Sequence, residues 1–85
     1  MEIQQLFEQA VANSKTLTEK PDNETLLKLY SLYKQGTQGD NKEEAPANPF
    51  DFVAKFKHEA WEKLQGTSNE EAMQQYIDLV NQLKG

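Results

Sequence analysis

Cysteine is absent from the 85 residues, and so is arginine. Without cysteine there are neither disulfides nor thiolate metal sites, and nothing ties the chain to an oxidising compartment, so the cytoplasm is the default expectation. Without arginine, all nine basic residues are lysines. The planar forks that suit phosphate backbones and base edges are missing, which argues against nucleic acid as a partner. No apolar run approaches the roughly 20 residues needed to span a bilayer, and Met1-Glu2-Ile3-Gln4-Gln5 has neither a basic start nor an apolar stretch. Neither a secretory leader nor stable membrane insertion is expected. The single histidine, His58, has no companion ligands for a metal and no nucleophilic cysteine to serve. The length fits one domain over residues 1–85, able to bury roughly 60% of its unfolded surface.

Helical periodicity fills most of the chain. Ile3, Leu6, Phe7, Ala10 and Val11 recur at three- and four-residue steps and predict a helix to about Ser14 or Lys15. Asp22 or Asn23 can accept a bond from a first-turn N–H, and a second helix is expected from there to about Thr37. Its apolar positions, Leu26, Leu27, Leu29, Tyr30, Leu32 and Tyr33, are too wide for one stripe and predict a central helix with several neighbours. Residues 40–46 have no period and form the longest connection. Asn48-Pro49-Phe50-Asp51 reads as a cap, a first-position proline and a first-turn acid. The third helix is expected to reach about Gln65 and to bury Val53, Phe56, Ala60, Trp61 and Leu64. Gly66 suits its end, and Ser68 with Glu71 reads as a capping box for a fourth helix. With no alternating strand pattern, these elements predict an all-α four-helix bundle, and the long connection permits an order other than up-and-down.

Architecture alone does not choose a function. Taken singly, Tyr30, Tyr33 and Tyr76 suit half-buried core positions, and Lys15, Lys34 and Lys57 suit a solvated face. Tyr30, Tyr33 and Lys34, however, stand three and four residues apart, so two phenol rings and one ammonium can face one pocket. The formal net charge of −5 does not exclude an anionic ligand there, because exposed charges beyond about 10 Å are largely screened.

Residues 30–40, Tyr30-Ser31-Leu32-Tyr33-Lys34-Gln35-Gly36-Thr37-Gln38-Gly39-Asp40, resemble the Tyr-x-x-Tyr-Lys-Gln-x-Thr-x-Gly-Asp signature of the acyl-CoA-binding protein family. Lys57, Ala60-Trp61, Leu64-x-Gly66-Thr67-Ser68, Ala72-Met73 and Tyr76-Ile77 resemble the family's third and fourth helices, so the likeness spans almost the whole chain. It implies a fold of the same bundle type and a protein that reversibly holds medium- to long-chain fatty acyl-CoA, as an intracellular carrier and pool former, without catalysis or cofactor. By resemblance, Lys34 and Lys57 bind the 3′-phosphate with Tyr33, Tyr30 and Tyr76 flank the adenine, and Lys15 lies near the nucleotide. Leu26, Leu27 and Phe52 match positions along the acyl chain. A monomer is expected, in transient contact with enzymes that make or use the ester.

Three positions depart from the family pattern. His58 stands where a tryptophan is usual, Phe56 where a small residue is usual, and Val53 replaces a frequent lysine; the central loop is one residue longer. Two other functions compete with the carrier: a helical protein-interaction module, for which the tyrosine–lysine cluster would be dispensable, and an acyl-CoA hydrolase, for which no nucleophile–base pair stands out.

Overall fold

The computed structural model describes residues 2–84; Met1, which opens the segment read as lacking a leader, and Gly85 lie outside the described residues. Four helices follow in order, α1 (Ile3–Ser14), α2 (Asn23–Gln38), α3 (Phe52–Glu62) and α4 (Asn69–Lys84), and no strand occurs among the described residues. The local chemistry sets most boundaries. Asp22 caps α2, its carboxylate accepting from the Thr25 N–H at 2.8 Å. Hydrogen bonding from Thr25, through its side chain and then its amide, holds the Asp22 carboxyl below the ordinary carboxylate range. At the other end Gly39 takes φ 82°, a conformation L side chains rarely adopt, while its N–H reaches the Gln35 carbonyl at 3.1 Å. Ser68 Oγ accepts from the Glu71 N–H at 3.1 Å, which is one half of the expected capping box; the return bond from the Ser68 N–H to the Glu71 carboxylate does not form.

The third helix departs from expectation at both ends. Asn48 does not cap it; its side chain accepts from the Phe50 N–H at 2.9 Å and closes a separate turn. Asp51, at φ −87° and ψ 79°, is the true cap and accepts from the Ala54 N–H at 3.1 Å. At the C-terminal end the i→i−4 ladder gives way after Lys63 to i→i−3 bonds, Leu64 to Trp61 and Gln65 to Glu62, so the last turn before Gly66 is not α-helical.

The helices lie in the order α1, α4, α2, α3: α4 packs on both α1 and α2, and α3 packs on α2 alone. This row makes a slab with extents of 40 × 28 × 15 Å. The core sits in the α1–α4–α2 part, where Phe7, Ala10, Leu29, Leu32, Ala72, Tyr76, Ile77 and Val80 interlock. Each fully buried large side chain there contributes on the order of 1.5–3 kcal/mol. With a single helical neighbour, α3 has one face to bury against it, and that face carries Trp61, with Ala60 half-buried beside it; His58 is half-buried under the long loop, its Nε2 3.0 Å from the Glu43 carbonyl. Val53 and Phe56, expected on the buried face, lie outside it. Together with Phe50 and Phe52 they are 51–81% exposed.

Candidate functional site

Leu26, Tyr30 and Tyr33 are spaced by four and three residues, so α2 presents them along one face. That face forms one wall of a cleft of about 360 Å³, closed by Val11, Ser14 and Lys15 at the end of α1 and by Tyr76 of α4. Lys15 is the exposed C-cap residue of α1, at the mouth of this cleft. Tyr76 is 4% exposed and belongs to the core as well. Its hydroxyl donates to Ser14 Oγ at 3.1 Å, and Ser14 in turn donates to the Val11 carbonyl at 2.7 Å. Phe7 meets Tyr76 edge-on at 5.1 Å and stacks with Tyr33 at 6.0 Å, which ties both tyrosines to α1. Tyr33 remains 41% exposed, so an aromatic surface of this cleft is open to a planar ligand.

Two cations meet at the Tyr30 ring. Lys34 Nζ, from one turn further along α2, lies 5.9 Å from its centroid, and Lys57 Nζ, from α3, lies 5.2 Å away. Lys34 also lies 5.4 Å from the Trp61 ring. Of the nine lysines, Lys34 alone is half-buried rather than exposed. No carboxylate among the described residues lies within ion-pair distance of Lys34 or Lys57; the single pair found is His58 with Glu62 at 3.5 Å. Two ammonium groups held without counter-charge at the edge of an aromatic cleft suit an anion joined to a planar base.

Seven of the nine expected site residues therefore come together: Lys15, Leu26, Tyr30, Tyr33 and Tyr76 around the cleft, Lys34 and Lys57 at its Tyr30 side. Leu27 faces the other way, into a groove of about 440 Å³ between α2 and α3 that it shares with Ala60 and Leu64. Phe52 lines neither space and stands exposed at the start of α3. A further cleft, about 480 Å³, lies between the long loop and α3 and holds none of these residues. Its charges, Lys55 and Lys63 with Glu59 and Glu62, are of mixed sign, and no tyrosine or tryptophan lines it.

The end of α2 is fixed by a hydrogen-bond hub whose members are not on the expected site. Gln35, fully buried, donates through Nε2 to Asp40 Oδ1 at 2.9 Å and to the Thr67 carbonyl at 2.7 Å; its Oε1 has no partner among the described residues. Asp40 Oδ1 also accepts from the Gly66 N–H at 2.9 Å. That amide first, and the Gln35 side chain second, hold the Asp40 carboxyl below the ordinary carboxylate range. Trp61 Nε1 donates to the Gly39 carbonyl at 2.8 Å, and Asn69 Nδ2 to the Gly36 carbonyl at 3.1 Å. Gln35 and Asp40 of the signature segment thus join α2 to the turn before α4, and Gly39 ties the same helix end to Trp61 of α3, while Tyr33 of that segment is exposed and Lys34 half-buried. The signature contains both sets, and nothing in their spacing separates framework from ligand contact.

The chain is similar to known proteins over most of its length. A family model described as acyl CoA binding protein matches residues 4–80. An acyl-CoA-binding protein of Saccharomyces cerevisiae is 47% identical over 81 residues, covering 95% of this chain and 92% of its own. Acyl-CoA-binding protein homolog 1 of Caenorhabditis elegans is 44% identical over 77 residues, 91% of this chain and 88% of its own. The crystal structure of acyl-CoA-binding protein 2 of Oryza sativa superposes with a TM-score of 0.90 at 40% identity, covering 96% of this chain and 90% of that one.

Proposed function

Because the chain belongs to the acyl-CoA-binding protein family, we propose that it reversibly holds medium- to long-chain fatty acyl-CoA in the cleft around Tyr30 and acts as an intracellular carrier. The observation that carries this assignment is the half-buried Lys34, which has no carboxylate partner among the described residues and shares the Tyr30 ring with Lys57. Such a cation lacks an anion, and the 3′-phosphate of coenzyme A supplies one.

In this arrangement Lys34 and Lys57 donate to the phosphate, each charge-assisted bond contributing about 1.5–3 kcal/mol. Tyr30 and Tyr33 offer ring faces to the adenine, stacking that is worth about 1–3 kcal/mol, and Lys15 adds positive charge at the mouth of the cleft. Tyr76 forms the floor, held by Ser14, and meets the base by its ring rather than by its occupied hydroxyl. The hydrocarbon is assigned to apolar surface nearby: Leu26 on the cleft wall, Leu27 in the groove between α2 and α3, and Phe52 on the open face of α3. Each methylene sheltered from water adds about 0.8 kcal/mol, so a long chain strengthens binding. No bond is made or broken and no cofactor takes part; acyl-CoA is the ligand. The whole chain, residues 1–85, is assigned to one domain working as a cytoplasmic monomer, which exchanges ester in brief contacts with the enzymes that make or use it. No described helix is long and apolar enough to cross a membrane.

Calorimetric titration with palmitoyl-CoA, beside free CoA and palmitate, tests this assignment. Tight binding of the intact ester and weak binding of both halves is expected. Equal affinity for palmitate and palmitoyl-CoA would remove the nucleotide site, and no binding of the ester would leave the bundle as a protein-interaction module.

A further inference from the structure

Trp61 reads from its spacing as a core residue, and it is only 2% exposed, yet it stands apart from the cluster formed by α1, α4 and α2. It is the buried residue of a helix that contributes nothing else to the interior. Its indole is held in two ways. Nε1 donates to the Gly39 carbonyl at 2.8 Å, and the ring lies 5.4 Å from Lys34 Nζ. Gly39 is the C-cap of α2, five residues beyond Lys34, so the helix end that carries the lysine also orients the ring beside it.

We propose that Trp61 is a positioning residue for the anion-binding site, holding the Lys34 ammonium in its phosphate-ready place before the ligand arrives. This rests on the assignment of Lys34 to the 3′-phosphate. A half-buried ammonium with no carboxylate at hand is drawn to the negative faces of aromatic rings, and Lys34 has two, Tyr30 and Trp61. Four rotatable bonds otherwise leave a lysine head free, and fixing it on binding lowers affinity. A ring anchored to the Gly39 carbonyl takes that cost during folding, so less remains to be met when the phosphate binds. Trp61 does not touch the ligand; it acts through Lys34.

The effect belongs to the phosphate alone, and this separates it from a structural role. Palmitoyl-CoA and its 3′-dephospho analogue are titrated against the unchanged protein, Trp61→Phe, Trp61→Leu, Lys34→Met and the Trp61→Phe/Lys34→Met double variant. Trp61→Phe keeps a ring and folds most readily; Trp61→Leu removes the cation contact. We expect each Trp61 variant to weaken palmitoyl-CoA roughly fivefold to tenfold, with Trp61→Leu the weaker binder, and to leave the dephospho analogue unchanged. The double variant then binds no worse than Lys34→Met. Equal losses on both ligands, or losses that multiply in the double variant, make Trp61 a framework residue and overturn the proposal. Lys34→Met without effect on palmitoyl-CoA overturns the phosphate assignment itself, and the positioning role with it. A ligand-free check is the proton shift of the Lys34 methylene next to Nζ. Ring current from Trp61 moves it upfield in the unchanged protein and the displacement shrinks in Trp61→Leu; an ordinary lysine shift in the unchanged protein overturns the proposal, whether or not Trp61→Leu folds.

Discussion

Replacing Lys34 by alanine is expected to divide affinity from stability. In the free protein the ammonium rests on the Tyr30 and Trp61 rings at 5.9 and 5.4 Å and has no carboxylate beside it. Losing two such contacts costs roughly 0.5–1 kcal/mol each at partly exposed sites. Against that stand the relief of a half-buried charge and of its repulsion from Lys57, so the net change in folding free energy is about 1 kcal/mol or less. For a domain of this size that is a melting shift of no more than about 4–8 °C. Binding loses a charge-assisted bond to phosphate, about 1.5–3 kcal/mol, or roughly 10- to 150-fold in Kd. Thermal melts of the free variant and calorimetric titration with palmitoyl-CoA measure the two sides. Unchanged affinity would refute the phosphate assignment, and an affinity loss matched by a collapse in melting temperature would reassign Lys34 to the framework.

Gln35→Leu is expected to destabilise by about 1–2 kcal/mol, because the Thr67 carbonyl loses its 2.7 Å donor while the partnerless Oε1 disappears as a partial offset; denaturant unfolding gives the value. Acid should loosen the end of α2 through Asp40 and its start through Asp22. Both carboxyls are lowered in the fold, so their contribution is complete above the ordinary value of 3.8 and is lost as pH falls through the folded values; Asp40→Asn and Asp22→Asn should flatten the stability profile below about pH 4, followed by circular dichroism. Phe56→Ser should change stability by less than about 0.5 kcal/mol, since the side chain is 51% exposed; a large loss in a thermal melt would return Phe56 to the buried face its spacing suggested.

Much of this fold is legible in the chain because three helices bury wide apolar faces and two of them, α2 and α4, carry clear end signals. Asp22, Gly39 and Ser68 sit where capping chemistry places them, and the structure puts α1, α2 and α4 within a residue or two of the periodicity. The third helix misleads for a physical reason. Asn48-Pro49 has the composition of a helix start, but the Asn48 side chain closes its own turn and Asp51 caps instead. Its apolar residues cover more of the circumference than one neighbour can bury, so periodicity cannot say which half faces α2. The site divides in the same way. Spacing on α2 aligns Tyr30 with Tyr33, whereas the arrival of Lys57 and Trp61 from α3 depends on packing between segments some 25 residues apart. Gln35 and Asp40 read as part of the same signature as Lys34, and only the hydrogen bonds to Gly66 and Thr67 assign them to the framework.

Amide chemical-shift mapping during titration with palmitoyl-CoA tests most directly where the ligand is held. The largest changes are expected at Lys15, Tyr30, Tyr33, Lys34, Lys57 and Tyr76, with smaller ones along Leu27 and Ala60. Changes confined to the cleft beneath the long loop, around Lys55, His58 and Lys63, with the Tyr30 cleft silent, would contradict the account.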